Sequence, residues 1–122
     1  MIKGIKFLSV PVRNQNDALK FYTEKLGFKV LTDQPFTEKQ RWIELSIPGA
    51  DTGLVLFTMD NGDANRIGSQ QPLSFWCEDV HATARLLKSK GVEFAKDPKT
   101  ESWGTAAIFK DQDGNQFVLS SR

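Results

Sequence analysis

Residues 25–30 read KLGFKV and residues 89–94 read SKGVEF. Each stretch carries a glycine directly after an amphipathic segment and then passes into β-forming residues, the signature of a helix stopped by a glycine before a strand. Working outward from the first copy, IKFLSVPVR (5–13) is rich in β-formers and predicts a strand with Leu8, Val10 and Val12 on one face. Asn14 then predicts an N-cap for a helix over QNDALKFYTEKL (15–26), with Asp17 in its first turn, a buried stripe of Ala18, Leu19, Tyr22 and Leu26, and Phe21 adjoining. FKVLTD, RWIELSI and GLVLFTM, starting at Phe28, Arg41 and Gly53, predict three further strands. The second copy repeats the order. QPLSFWCE (71–78) reads as a strand, Asp79 caps a helix over VHATARLLKSK ended by Gly91, and VEFAKD, TAAIFKD and QFVLS follow as strands. Trp42 and Trp103 hold equivalent places. The chain therefore reads as a duplicated βαβββ unit, with module 1 at about 1–60, a Gly- and Asn-bearing linker at about 61–69, and module 2 at about 70–122.

The turn Asp111-Gln112-Asp113-Gly114-Asn115 lies between two apolar runs and raises the question of a cation loop. An EF-hand loop needs glycine at its sixth position and a bidentate acid at its twelfth. Counted from Asp111, the glycine is fourth and the twelfth residue is Arg122. The turn is instead a hairpin signal, because glycine tolerates the positive φ that tight hairpin turns demand.

Composition narrows the function. The chain has 122 residues, 16 basic and 15 acidic, for a formal charge of +1, which disfavours a polyanion partner such as nucleic acid. The longest apolar runs fall far short of the roughly 20 residues needed to span a bilayer, so neither a membrane partner nor a signal segment is expected, and a soluble, cytoplasmic protein is. Cys77 is the sole cysteine and His81 the sole histidine. An internal disulfide and zinc sites built from several Cys or His ligands are excluded. His81 falls in the first turn of a polar helix face and Cys77 beneath the same helix; neither is assigned chemistry.

The element order, the duplication, FYTEKLGFKV (21–30) and the pattern W-G-x-x-x-x-F-x-D-x-D-G-N-x-F-x-L from Trp103 to Leu119 together resemble the vicinal oxygen chelate superfamily, which holds glyoxalase I, extradiol dioxygenases, and fosfomycin- and bleomycin-resistance proteins. The resemblance implies an α+β fold in which two tandem βαβββ modules form a pair of curled half-barrels around a central cleft. It also implies that modules often pair across chains, so a homodimer is expected. Metal-dependent members take ligands from the first and last strands of each module. Those positions fall here on Phe7, Leu56, Pro72 and Val118, and the flanking Leu8, Phe57, Leu73 and Leu119 are equally apolar. None offers a donor to a cation, so no metal and no cofactor are expected.

Strand alternation then assigns the cleft lining. Phe7, Ser9 and Pro11 face it in module 1 if Leu8, Val10 and Val12 pack under the helix; Pro72, Ser74 and Trp76 face it in module 2. Trp42, Glu44 and Ser46 lie opposite the core residues Ile43, Leu45 and Ile47, and Leu54, Leu56, Thr58, Gln116, Val118 and Ser120 complete the lining. The resulting aromatic and aliphatic surface suits a small-molecule ligand. The expected ligand-binding residues are Phe7, Ser9, Trp42, Glu44, Leu56, Pro72, Ser74, Trp76, Gln116 and Val118. Glu44 is the one carboxylate on that surface, and burial makes a carboxylate costly unless it is paired or used. It is the candidate general base or clamp for a cationic group, with Arg41 and Lys110 as alternative ion-pair partners. The function read from these residues is metal-independent binding of an aromatic or planar molecule, in the manner of the bleomycin-resistance branch. The alternative is a glyoxalase-like lyase or isomerase, or a metal enzyme, using Glu44 with partners that the sequence does not identify.

Overall fold

The computed structural model describes residues 1–58 and 63–122, with only the backbone of Asp63 and Ala64. Residues 59–62, which include the end of module 1 and the start of the expected linker, lie outside the described residues. The chain divides into two compact units, Met1–Ile67 and Gly68–Arg122.

Unit 1 runs β1 (Phe7–Val12), α1 (Gln15–Lys20), β2 (Lys29–Pro35), β3 (Arg41–Ser46) and β4 (Gly53–Thr58). Unit 2 runs β5 (Gln70–Trp76), α2 (Val80–Ser89), β6 (Phe94–Glu101), β7 (Gly104–Lys110) and β8 (Gln116–Ser120). The sheet orders are β1-β4-β3-β2 and β5-β8-β7-β6, with the first pair parallel and the other pairs antiparallel in each. This is the α+β fold of tandem βαβββ modules. A long crossover separates each parallel pair, while short turns join the antiparallel ones.

The helix starts form where the caps predict them. Asn14 accepts from the Asp17 amide at 2.9 Å, and Asp79 accepts from the Ala82 amide at 2.9 Å. Gly27 and Gly91 follow the helical segments at φ 77° and 87°. The first helix departs from expectation in its second half. After Lys20 it widens into a π-helical turn over Phe21–Lys25, closed by the Leu26 amide on the Phe21 carbonyl at 3.4 Å. The wider turn buries Phe21 and Tyr22 side by side and leaves Leu19 and Leu26 half-buried, so the predicted stripe is shifted.

In unit 1 the helix lies against β4, and Val10, Val12, Ile43, Leu45, Leu54 and Leu56 are buried. Gln15 ties the layers: its Nε2 donates to the carbonyls of Arg41 (2.8 Å) and Leu56 (2.9 Å), and its Oε1 accepts from the Arg41 amide (3.0 Å). Leu8 lies on the expected face, in register with buried Leu54, but is itself not buried. It lies on the sheet's edge strand with one neighbouring strand, and it is 37% exposed. In unit 2, α2 lies against β6 and β7. Its buried Val80, Ala84 and Leu87 are accompanied by a ring cluster of Phe75, Phe94, Phe109 and Phe117, with successive centroids 5.4–6.1 Å apart.

The 111–115 turn joins β7 to β8 as a hairpin, with Gly114 at φ 79°. Its acidic character serves the turn itself. Asp111 Oδ1 accepts from the amides of Asp113 (2.8 Å) and Asn115 (3.0 Å), and Oδ2 accepts from Asn115 Nδ2 (2.8 Å). Asn115, wholly buried, accepts in turn from the Gly68 amide (2.8 Å) and Gln71 Nε2 (3.1 Å). The carboxylate therefore faces hydrogen-bond donors where a cation site would need open oxygens.

Candidate functional site

Register decides which side chains share the face opposite each helix. In unit 1, Ser9 pairs with Val55 and Val55 with Glu44, which in turn pairs with Thr32 on β2. This row lies opposite the row of Val10, Leu56 and Ile43. Leu56 therefore belongs to the buried row, while Val55 and Phe57 hold the opposite face on β4; Leu56 still borders the concavity on that side. The sequence does not orient this strand because Leu54 to Phe57 are apolar without alternation. Val55, Phe57 and Gly53 offer no metal donor either, so the corrected register leaves the ligand positions as empty of donors as before.

Phe7 and Trp42 meet edge to face on that opposite side, with ring centroids 5.5 Å apart, and Phe36 reaches Trp42 at 5.7 Å. Beside them is a concavity of about 250 Å³ lined by Ser9, Phe36, Gln40, Arg41, Trp42, Val55, Leu56 and Phe57. The Arg41 guanidinium at its edge is engaged by both oxygens of Asp33 at 3.0 Å and by Asn16. That hydrogen bonding, partly opposed by desolvation, holds the Asp33 carboxyl below its ordinary value and raises Arg41. Arg41 is thus occupied elsewhere and does not pair with Glu44. Lys110, the other expected partner, pairs with Glu93 at 3.3 Å.

Glu44 is 6% exposed, and its carboxylate has no hydrogen-bond or ion-pair partner among the described residues. It lines a second concavity of about 200 Å³ together with Lys6, Leu31, Leu45, Ser46, Ala50, Asp51, Thr52 and Gly53. Pro11, expected in the cleft, is fully buried.

In unit 2, Ser74, Val118 and Ile108 form one row, and Trp76, Ser120 and Ala106 the next. A concavity of about 630 Å³ uses Val118, Ile108, Ala106 and Ala107 as its floor and Lys96, Asp97, Lys99, Glu101 and Trp103 as its rim. Trp76 is 55% exposed, with the Arg122 guanidinium stacked on its ring at 4.6 Å. Gln116 lies in register with Lys110 and Gln70. Pro72 falls where the β5 register slips between Gln70 and Ser74 and is exposed; a residue without an amide hydrogen cannot continue the ladder. His81 is exposed, with Nε2 3.4 Å from Thr100 Oγ1.

The sequence reasoning missed Phe36, Val55, Phe57, Lys96, Lys99 and Ile108. Anchoring β4 on the alternating strand β3 would have recovered Val55 and Phe57. Phe36 follows β2 in a loop, where no periodicity points to it. Trp103 stands out in the sequence through the repeat and the Trp103–Leu119 pattern, neither of which marks it as a lining residue. Among the described residues, no three His, Cys, Asp or Glu side chains converge on one point.

Comparison with known proteins agrees with this architecture. The chain is 40% identical to YetH of Bacillus subtilis (strain 168) over 98% of both chains. It is 30% identical to a structurally characterised member of the glyoxalase/bleomycin resistance protein/dioxygenase superfamily from Sphaerobacter thermophilus DSM 20745, at a TM-score of 0.91 over 99% of this chain and 98% of that one. TnmS3, an antibiotic binding protein from Streptomyces sp. CB03234, is 35% identical at a TM-score of 0.83, over 98% of this chain and 96% of its own. Residues 4–119 match the family described as the Glyoxalase/Bleomycin resistance protein/Dioxygenase superfamily, and the chain belongs to it.

Proposed function

We propose that this protein binds an aromatic or planar small molecule without a metal, and that the ligand rests on the face of unit 1 that carries Trp42. The observation that carries the reading is the aromatic group on that face, Trp42 with Phe7 at 5.5 Å and Phe36 at 5.7 Å, bordering an apolar concavity. Aromatic rings on a strand face gain both area and ring–ring contact when a flat ligand lies against them. The similarity to TnmS3, itself an antibiotic binding protein, supports the same class of ligand. Metal independence rests on the chemistry of the matched positions: Phe7, Pro72 and Val118, together with Leu56 or its corrected neighbours, provide no nitrogen or oxygen side-chain donor. Ser9, Ser74, Trp76 and Gln116 belong to the same ligand-facing set. A homodimer and a cytoplasmic location complete the proposal, with sedimentation as the check on the former.

The test is a thermal-shift comparison on metal-stripped protein, with planar tricyclic aromatics in one arm and Ni²⁺, Zn²⁺, Mn²⁺ and Fe²⁺ in the other. A ligand at a hundredfold excess over its Kd stabilises by about 2.7 kcal/mol. Stabilisation by an aromatic compound, lost in Trp42→Ala, is expected. Selective stabilisation by one metal, with none by the aromatics, overturns the reading.

A further inference from the structure

We propose that unit 2 carries a second binding site, which takes an organic anion with an apolar body, and that Lys96 and Lys99 select its charge. The site lies on the sheet face opposite α2 and is independent of the ligand placed on unit 1. Its floor is Ala106, Ile108 and Val118 on β7 and β8, the two central strands of the sheet. A sheet face left to water carries polar residues at such positions. Here all three are apolar and only half-buried, beneath a concavity of about 630 Å³. A hollow of that size with an apolar floor and a few polar groups at its rim suits a small molecule.

Charge picks the class of ligand. Register puts Lys96 in the row of Ile108 and Val118, and Lys99 in the row of Ala106 and Ser120. Two like charges beside one hollow repel each other, and an anion placed between them relieves that repulsion. The acids at the rim do not neutralise both. Asp97 is held by Lys88 of α2, and Glu101 pairs with Lys99 at 3.3 Å, so among the described residues Lys96 has no ion-pair partner. The Lys99–Glu101 pair is itself exposed, and exposed pairs contribute little, so Lys99 can turn to an incoming anion. Trp103 lines the same concavity and is 69% exposed, in the turn between β6 and β7. That turn is fixed to the end of β8: the Thr105 amide donates to Ser121 Oγ at 3.0 Å, and a Cβ on Gly104 would stand 2.6 Å from the same oxygen. An exposed indole held in place beside an apolar floor offers a ligand a preformed contact.

The test uses 8-anilinonaphthalene-1-sulfonate and N-phenyl-1-naphthylamine, which share one ring skeleton and differ by the sulfonate. Binding is read from probe fluorescence at low ionic strength in the full chain carrying Trp42→Ala, which removes the aromatic platform of unit 1 so that the remaining binding reports unit 2. Each variant is first shown to be folded by circular dichroism. The sulfonate probe is expected to bind at least about fivefold more tightly than the neutral one, as two rim ion pairs allow. Adding Lys96→Gln and Lys99→Gln should abolish that preference with the neutral probe's affinity unchanged. Adding Ala106→Trp instead, which fills the floor, should remove the binding of both probes. Absence of sulfonate-probe binding in Trp42→Ala, equal affinities there, a preference that survives both lysine changes, or binding that survives Ala106→Trp overturns the site on unit 2 and leaves the reading for unit 1 standing.

Discussion

Asp111→Asn is a near-isosteric change with a large expected cost. The carboxylate accepts from at least three donors, two backbone amides on Oδ1 and the Asn115 amide group on Oδ2, at 2.8–3.0 Å, and Asp111 is 6% exposed. An asparagine has one acceptor oxygen. If that oxygen keeps the two backbone amides, its NH₂ confronts Asn115 Nδ2. Turning Asn115 over moves the conflict to the Gly68 amide and Gln71 Nε2, which Asn115 Oδ1 now accepts. Bonds to a charged acceptor contribute about 1.5–3 kcal/mol against about 1 for neutral ones, and an unsatisfied buried donor costs about 1–3. One lost bond and two weakened ones amount to about 3–5 kcal/mol. With a urea slope of roughly 1–3 kcal/mol/M, the midpoint should fall by about 2 M at pH 7, with the slope unchanged. The wild-type midpoint should be indifferent to Ca²⁺, since N–H groups fill the carboxylate. A loss below about 1 kcal/mol, judged against the cost of an unsatisfied donor, or a wild-type midpoint raised by millimolar Ca²⁺, would refute the account of this turn.

Four further outcomes are expected. Gln15→Ala removes three hydrogen bonds at 2.8–3.0 Å between α1 and the sheet, and urea titration should show a loss of about 2–3 kcal/mol; a change within experimental scatter would mean that water replaces the amide. Glu44→Leu should change stability by less than about 1 kcal/mol, because no partner is lost and the carboxylate lines a concavity, and a clear loss would show that the carboxylate supports the fold. The Asp33 carboxyl is lowered by Arg41, so the stability linked to it is present above the ordinary aspartate range and is lost as pH falls through the depressed value. In Asp33→Asn that component of the acid limb, below about pH 4, should vanish; an unchanged limb refutes the linkage. Trp42→Ala should weaken a planar aromatic by at least about tenfold, in line with about 1–3 kcal/mol per stacked ring, whereas equal affinity by calorimetry would move the ligand elsewhere.

The parts of this protein that the chain alone determines are those governed by near neighbours in sequence. The caps at Asn14 and Asp79, the glycine stops at Gly27 and Gly91, the 111–115 hairpin and the repeat that unites them follow from local φ preferences and side chains reaching backbone two or three residues away. Strand β3 was legible face by face because RWIELS alternates. Strand β4 was not, since Leu54 to Phe57 are apolar without alternation, and only pairing with β1 and β3 turned Leu56 to the core and Val55 and Phe57 to the other side. The π-helical turn at Phe21–Lys25 and the slipped register at Pro72 likewise depend on packing and on pairing between strands distant in sequence. Glu44 shows the division most clearly: its place on a strand face is local, but its lack of a partner was settled only when Asp33 took Arg41 and Glu93 took Lys110, because ion pairing depends on distances in space that sequence separation does not encode.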